Sequence, residues 1–434
     1  MKLQKDFFVY QNGTQLLTLQ DKSFQAMIIY FYVKIGSKNE TPEVNGVSHF
    51  LEHMLFKGTQ KYPSHQDINK TLDRKGIDFN AFTDKNMTGY YFKFLPTEKT
   101  MRLVCNIVYQ MLFKSLNRKK DLQVERNVVI QEFNEMMDTP DDYVNEIIEA
   151  FVFEGHPLGM SVIGTKETIK NISKDDIDLF YNSNYKHSNM FISMTGNFPN
   201  RFRDILETLF IKSKPKKEIL TGQSIKIFPF TNIIRQSPLK YVHRKLQQNF
   251  LSVLFPIGGI YDSKQNHYRL ISNILGGNMS SRLFVRIREE LGLAYGISCS
   301  TSNYEEAGYF EIHTKTEPEN TIKCLKNILI ELKKFIGKQL SNKELEDNQK
   351  NYCDIFKTGF DDLENVSEFY TEQYFFNTKK EDIKGHINHI NAITTKDIQN
   401  VSHELFDFKK MMVVCYGECQ QKKLLDIIES ASSK

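Results

Sequence analysis

Two segments of this chain repeat each other 221 residues apart. Ile172-Ser-Lys-Asp-Asp-Ile177 aligns with Ile393-Thr-Thr-Lys-Asp-Ile398, and at the same offset Met190 meets Met411 and Gly196 meets Gly417. A further correspondence lies at an offset of 222, where Val33-Lys-Ile-Gly36 and Phe255-Pro-Ile-Gly258 each close an apolar run in glycine. In both copies a helix started by Ser or Thr leads into a short apolar strand (FISM, MVVC) and then a glycine. Self-similarity at a constant long offset marks a duplicated unit, and 434 residues suffice for two units that each bury a core. The least patterned stretch, Lys212–Ser224, is basic and carries Pro215 and Gly222, the composition of a linker. The expected division is residues 1–211, a linker at 212–224, and residues 225–434.

Each half opens with strand-like runs (25–35 and 248–255), and long amphipathic segments follow (Asp121–Asp138 and Asn320–Ile336). Each also holds two adjacent strand-like runs joined by a turn, 78–83 with 88–95 and 294–302 with 307–314. Strands grouped beside blocks of helix, without strict alternation, predict an α+β class: two duplicated domains, each an antiparallel-rich sheet with helices packed on one face. The longest apolar run, Ala26–Val33, is closed by Lys34, far short of the roughly 20 residues that span a bilayer. With 57 basic and 53 acidic residues the net charge is +4, so neither nucleic acid nor an anionic membrane is the expected partner. The six scattered cysteines form neither a disulfide framework nor a CxxC zinc pattern. No signal or transit pattern is visible in MKLQKDFFVYQNG, and an intracellular location is expected.

The sharpest local feature is His49-Phe-Leu-Glu52-His53, within a segment, Asn45–Lys57, that predicts a helix ended by Gly58 at C′. Histidines at i and i+4 stand one turn apart on one face, a separation one metal ion bridges. Glu52 is displaced slightly from that face, where a carboxylate contacts a metal-bound water and leaves the metal to the imidazoles. The order is the reverse of HExxH. Zinc in a catalytic site takes a third protein ligand and leaves its fourth position to water. The helix predicted at Asp121–Asp138, with Asp121 as its cap, offers Glu125 and Glu132 seven residues apart and so pointing the same way. Glu135 is a further acid there, and composition does not choose among the three.

Taken together, these residues resemble the pitrilysin/insulinase-type zinc peptidases, the family that includes mitochondrial processing peptidase and its bacterial relatives. The short two-domain members are the most similar. Gly46-Val-Ser-His-Phe-Leu-Glu-His-Met-Leu-Phe-Lys-Gly-Thr59 looks like that family's whole metal helix. Glu125-Arg-Asn-Val-Val-Ile-Gln-Glu132, running on to Asp138-Thr-Pro140, is similar to its second-ligand helix. Asn80-Ala81-Phe82-Thr83 with Tyr90-Tyr91 looks like the strand on which the family pairs an extended substrate. Leu275–Phe284 and Arg288-Glu-Glu-Leu-Gly-Leu-Ala-Tyr295 resemble its Arg/Tyr segment, and His156-Pro-Leu-Gly159 and Gly164-Thr165 fit as well. The resemblance spans about residues 30–418. Two features depart from the pattern or separate the chain from part of the family. Asn86 stands where relatives often carry an acid, and there is no long glycine-rich loop of the kind found in the non-catalytic processing-peptidase subunit.

The resemblance implies a zinc metalloendopeptidase with one Zn2+ per chain, held by His49, His53 and Glu132, with Glu125 as supporting acid. It implies Glu52 as general base, and Arg288 and Tyr295 as donors to the substrate carbonyl or oxyanion. Asn80, Ala81, Phe82 and Thr83 would bind substrate backbone, and the substrates would be peptides or unfolded protein segments. The alternatives are a maturation peptidase acting on one partner protein, or a non-catalytic subunit of a hetero-oligomer. Long relatives close two such halves into a chamber, so the resemblance also implies a homodimer, or a heterodimer with another chain.

Overall fold

The computed structural model describes residues 3–211 and 237–433; the linker expected at 212–224 lies outside these residues. Two sheets organise the rest. The first contains β1 (Gln4–Val9), β2 (Gln15–Gln20), β3 (Met27–Val33), β4 (Asp78–Thr83), β5 (Thr88–Phe94) and β6 (Met190–Gly196). The second contains β7 (Leu239–His243), β8 (Asn249–Gly258), β9 (Ala294–Asn303), β10 (Ala307–Thr316) and β11 (Met412–Gly417).

Their orders are β1-β2-β6-β3-β5-β4 and β7-β11-β8-β10-β9. Remove β1 and the two coincide strand for strand. The parallel pair β2·β6 matches the parallel pair β11·β7. The antiparallel pairs β3·β6, β3·β5 and β4·β5 match β11·β8, β10·β8 and β10·β9. The repeat found in sequence is therefore a repeat of topology: Gly196 and Gly417 end the equivalent strands β6 and β11.

Side-chain alternation explains how the first sheet is used. Met27, Ile29, Phe31 and Val33 of β3 pack with Met190, Ile192 and Met194 of β6 against helices on one face. The opposite face also carries a helix. Leu17, Leu19, Tyr32 and Phe191 pack against Val366, Tyr370 and Phe375 of the helix Leu363–Phe375. Small hydroxyls seat that helix: Thr371 Oγ1 donates to Ser193 Oγ at 2.7 Å and Thr195 Oγ1 to Ser367 Oγ at 3.0 Å. The α+β class with two sheets thus holds, and the first sheet is covered on both faces.

This covering helix makes the units discontinuous in sequence. The first compact unit takes the chain up to Tyr143, resumes at Gly155 and includes Phe360–Lys380. The second takes Val144–Glu154, the chain up to Gly359 and Glu381 onward. The linear division expected from sequence is crossed by these two short segments. Burial is the reason: Phe153 packs on Tyr304 and Tyr309, and Val366, Tyr370 and Phe375 on the first sheet. Among the described residues no helix is long and apolar enough to cross a membrane.

Candidate metal centre

The helix Val47–Leu55 is amphipathic in a simple way. Val47, Phe50, Leu51, Met54 and Leu55 fall at i, i+3, i+4, i+7 and i+8 and are buried in the first core. That leaves His49, Glu52 and His53 on the other side. The helix is shorter than the expected 45–57: it stops at Leu55, and the N–H of the cap residue Phe56 reaches the His53 carbonyl. Gly58 lies past the cap with φ +147°, and a Cβ there would fall 2.6 Å from the Pro63 carbonyl oxygen. Only glycine fits that turn.

The second contributor is the helix Lys119–Asp138, anchored by buried Leu122 and Val129. Its cap residue is Arg118. Asp121, the expected cap, sits in the first turn and is paired with Arg118 at 2.6 Å. Glu132 lies beside both histidines, with Oε1 3.4 Å from His49 Nε2 and Oε2 3.4 Å from His53 Nε2. Glu125, two turns earlier and buried, lies 2.8 Å from His53 Nδ1 and is ion-paired with Lys57. Exposed Glu135 takes no part in the cluster.

Donor atoms of His49, His53 and Glu132 all lie within 4.8 Å of one another. Neighbouring donors about 2.0–2.1 Å from a tetrahedral zinc stand roughly 3.3–3.4 Å apart, which the two His–Glu132 separations match. The same separation is long for an N–H···O hydrogen bond. The Glu125 contact leaves His53 with its proton on Nδ1 and its lone pair on Nε2, the atom turned toward Glu132. The Glu132 side chain is 45% exposed, so the cluster has a solvent side on which a fourth ligand fits. The set fits zinc.

Charge within the cluster follows the same geometry. Burial pushes the carboxyls of Glu132 and Glu125 up, but the imidazoles of His49 and His53 beside Glu132, and the hydrogen bonds from His53 and Lys57 to Glu125, outweigh it and hold both below the usual range. Burial disfavours charge on His49, yet Glu132 and Glu52 leave it raised overall. Glu52 is 8% exposed, and burial leaves its carboxyl raised against the pull of His49 and Thr83.

Thr83 has a role that its place in the strand motif did not signal. Its Oγ1 donates to Glu52 Oε2 at 2.6 Å, tying the end of β4 to the helix. β4 is an edge strand, and along it Asn80 and Phe82 are exposed while Ala81 and Thr83 are half-buried. Asn86, the departure from the family pattern, is buried in the β4–β5 turn. Arg288 and Tyr295 form a grouping in the second unit, with the guanidinium 4.6 Å from the Tyr295 ring centroid and the ring 80% exposed. Lys57 and, as shown below, Glu40 went unremarked in the sequence, because only their partners' positions reveal what they touch.

Comparison with known proteins places the chain among zinc proteases by family and fold. Residues 16–166 match the family model for insulinase, peptidase family M16, and residues 171–352 match the model for the peptidase M16 inactive domain. An uncharacterized zinc protease of Bacillus subtilis, YmxG, is 29% identical over 92% of this chain and 95% of its own. One from Rickettsia felis is 31% identical over 76% of this chain and 77% of its own. Among solved structures, a protease from Helicobacter pylori superposes with a TM-score of 0.84 at 19% identity, covering 95% of this chain and 99% of the other. The Escherichia coli periplasmic protease PqqL gives 0.82 at 16% identity, with 99% of this chain covering 50% of that one. The fold is that of a zinc-protease-like protein of two related sheet units. The chain belongs to the insulinase (M16) peptidase family.

The helix of the second unit equivalent to the metal helix is apolar at the matching positions. The helix Gln265–Gly276 follows β8 as Val47–Leu55 follows β3. At the offset of 222, Ile271, Ile274 and Leu275 stand where the first copy has His49, Glu52 and His53, and all three are buried.

Proposed function

We propose that this chain is a zinc metalloendopeptidase that hydrolyses peptides or unfolded polypeptide segments. The observation that carries this reading is the convergence of His49 Nε2 and His53 Nε2 on the two oxygens of Glu132, each at 3.4 Å. The buried carboxylate of Glu52 lies on the same helix. A zinc ion held by these three residues supplies a Lewis acid and a water acidified toward neutrality.

The chain's own residues do the rest. Glu52, fixed through Oε2 by Thr83, takes the proton of the attacking water and returns it to the leaving amine. Glu125 holds His53 in the tautomer that keeps Nε2 free. β4 is an edge strand among the described residues, and an extended peptide adds along its outer side as a further strand, giving affinity with little side-chain selection. Arg288 and Tyr295 act as donors to the substrate carbonyl or the tetrahedral oxyanion. Family resemblance supports a homodimer in which these two residues complete the site of the partner copy.

Mass spectrometry of products from a mixed peptide library, with and without a chelator, tests the proposal. Many chelator-sensitive cuts in unrelated short peptides support a general endopeptidase. A single cut in one protein target would favour a maturation peptidase. No turnover by zinc-loaded protein would leave a non-catalytic subunit.

A further inference from the structure

We propose that Glu40 is a positioning residue of the metal site, whose buried carboxylate fixes the first turn of the helix Val47–Leu55 and thereby the direction of the His49 ring. The inference rests on the zinc reading above.

A helix start leaves backbone N–H groups without intrahelical acceptors. Here the N-cap is Gly46, which has no side chain to supply one and sits at φ +95°. The acceptor comes from outside the helix. Glu40 Oε2 accepts from Gly46 N at 2.7 Å and from Asn45 Nδ2 at 2.9 Å, and Oε1 accepts from Ser48 N at 2.7 Å. The carboxylate is 7% exposed and meets the positive end of the helix dipole. From the other side the turn is held by the 161–164 loop. Asn45 Nδ2 also donates to the Ser161 carbonyl at 2.8 Å, and a Cβ on Gly46 would lie 2.5 Å from the Ile163 carbonyl oxygen. The chain at residues 45–48 is therefore clamped between Glu40 and that loop.

The two histidines depend on this clamp unequally. His53 is oriented through its own ring, Nδ1 to Glu125. His49 Nδ1 is buried with no hydrogen-bond partner among the described residues, so no hydrogen bond on that side of the ring fixes it as Glu125 fixes that of His53. Its aim therefore leans more heavily on the backbone that carries it, and the N–H immediately before it, that of Ser48, is held by Glu40. Both Glu40 oxygens receive donors only. An amide would turn an NH2 group toward one of them, so Gln, though isosteric, breaks the cradle.

The test is zinc affinity, measured by competition with a chromophoric chelator, together with the visible spectrum of the cobalt(II)-substituted protein, for wild type, Glu40→Gln, Glu40→Asp and Leu72→Ala. Leu72, buried in the first core on the separate helix His65–Asp73, controls for lost stability. Glu40→Gln should weaken zinc binding about 10–100-fold, the range seen when residues supporting metal ligands are changed, and should alter the cobalt spectrum. Glu40→Asp should recover part of both, while Leu72→Ala keeps wild-type affinity and spectrum. Wild-type affinity and spectrum in Glu40→Gln, or an equal loss in Leu72→Ala, would overturn the inference. If Glu40→Gln does not fold, Glu40→Asp carries the decision: intermediate affinity supports the role and unchanged affinity removes it. A wild-type chain that takes up no zinc removes the metal reading and this inference together, whereas wild-type zinc with an indifferent Glu40→Gln removes this inference alone.

Discussion

Nδ1 of His53 lies 2.8 Å from Oε1 of Glu125, on the side of the ring away from the nitrogen that faces Glu132. In the proposed zinc site Glu125 would orient His53 without itself binding the metal. His49→Ala, His53→Ala and Glu132→Ala should each strip zinc from the chain, because a site of three protein ligands loses most of its affinity with any one of them. Glu125→Gln should retain the metal about 10–100-fold more weakly. Metal analysis of the purified variants checks the order, and unchanged zinc in Glu132→Ala would move the third ligand to another acid.

Glu52→Gln should keep its fold and its zinc and lose about 100- to 10,000-fold in turnover, the usual worth of a positioned general base. Thr83→Val removes the hydroxyl that donates to Glu52 Oε2. It should cost roughly tenfold to a hundredfold, the value of a single hydrogen bond to a charged group. Steady-state hydrolysis of a quenched fluorescent peptide reads both, and near-normal rates in Glu52→Gln would take Glu52 out of the base role.

If two copies complete each other's sites, two dead variants should revive when mixed. Glu52→Gln and Tyr295→Phe chains, exchanged under mild dissociating conditions, would form hybrids in which one site has both residues intact. Activity should rise from near zero toward one fully intact site per hybrid dimer. A mixture that stays inactive, or a fully active monomer by sedimentation and assay, would sink the dimer.

Three histidines, His187, His267 and His386, should each withdraw stability as pH falls below about 6.5. His187 is buried and stacked on Phe113 at 4.4 Å between ring centroids, and burial pushes its imidazole below the ordinary value. His267 and His386 are displaced in the same direction, also by burial. The unfolded chain takes protons on these rings near pH 6.5, while the folded chain resists until lower pH. At these three rings the unfolded state thus holds more protons, and their contribution to stability falls as pH drops through this window. His187→Phe keeps an aromatic partner for Phe113 and removes one of the three. Its melting temperature in chelator should fall less than wild type between pH 7.5 and 5.5, and an identical fall would clear His187 of the effect.

Much of the architecture was legible in the chain because duplication leaves marks that need no coordinates. The 221- and 222-residue offsets predicted two related units, and their strands adopt one topology. The class of site was legible for a similar reason, since i and i+4 on a helix share a face whatever surrounds them, and that places His49 and His53 together. Periodicity stops at the limit of one element. Glu125 and Glu132 are seven apart on one helix and point the same way, so local geometry cannot say which meets the imidazoles and which lies behind them.

Tertiary packing decides that, by setting where the helix Lys119–Asp138 runs past the helix Val47–Leu55: Glu132 beside both Nε2 atoms, Glu125 behind His53. It also assigns Thr83 to Glu52, Glu40 to a helix start six residues further on, and the helix Leu363–Phe375 to a sheet built from the first half of the chain. Each of these links pairs residues whose partners are chosen by burial and hydrogen-bond satisfaction across elements. Periodicity within a single segment carries no trace of such a choice.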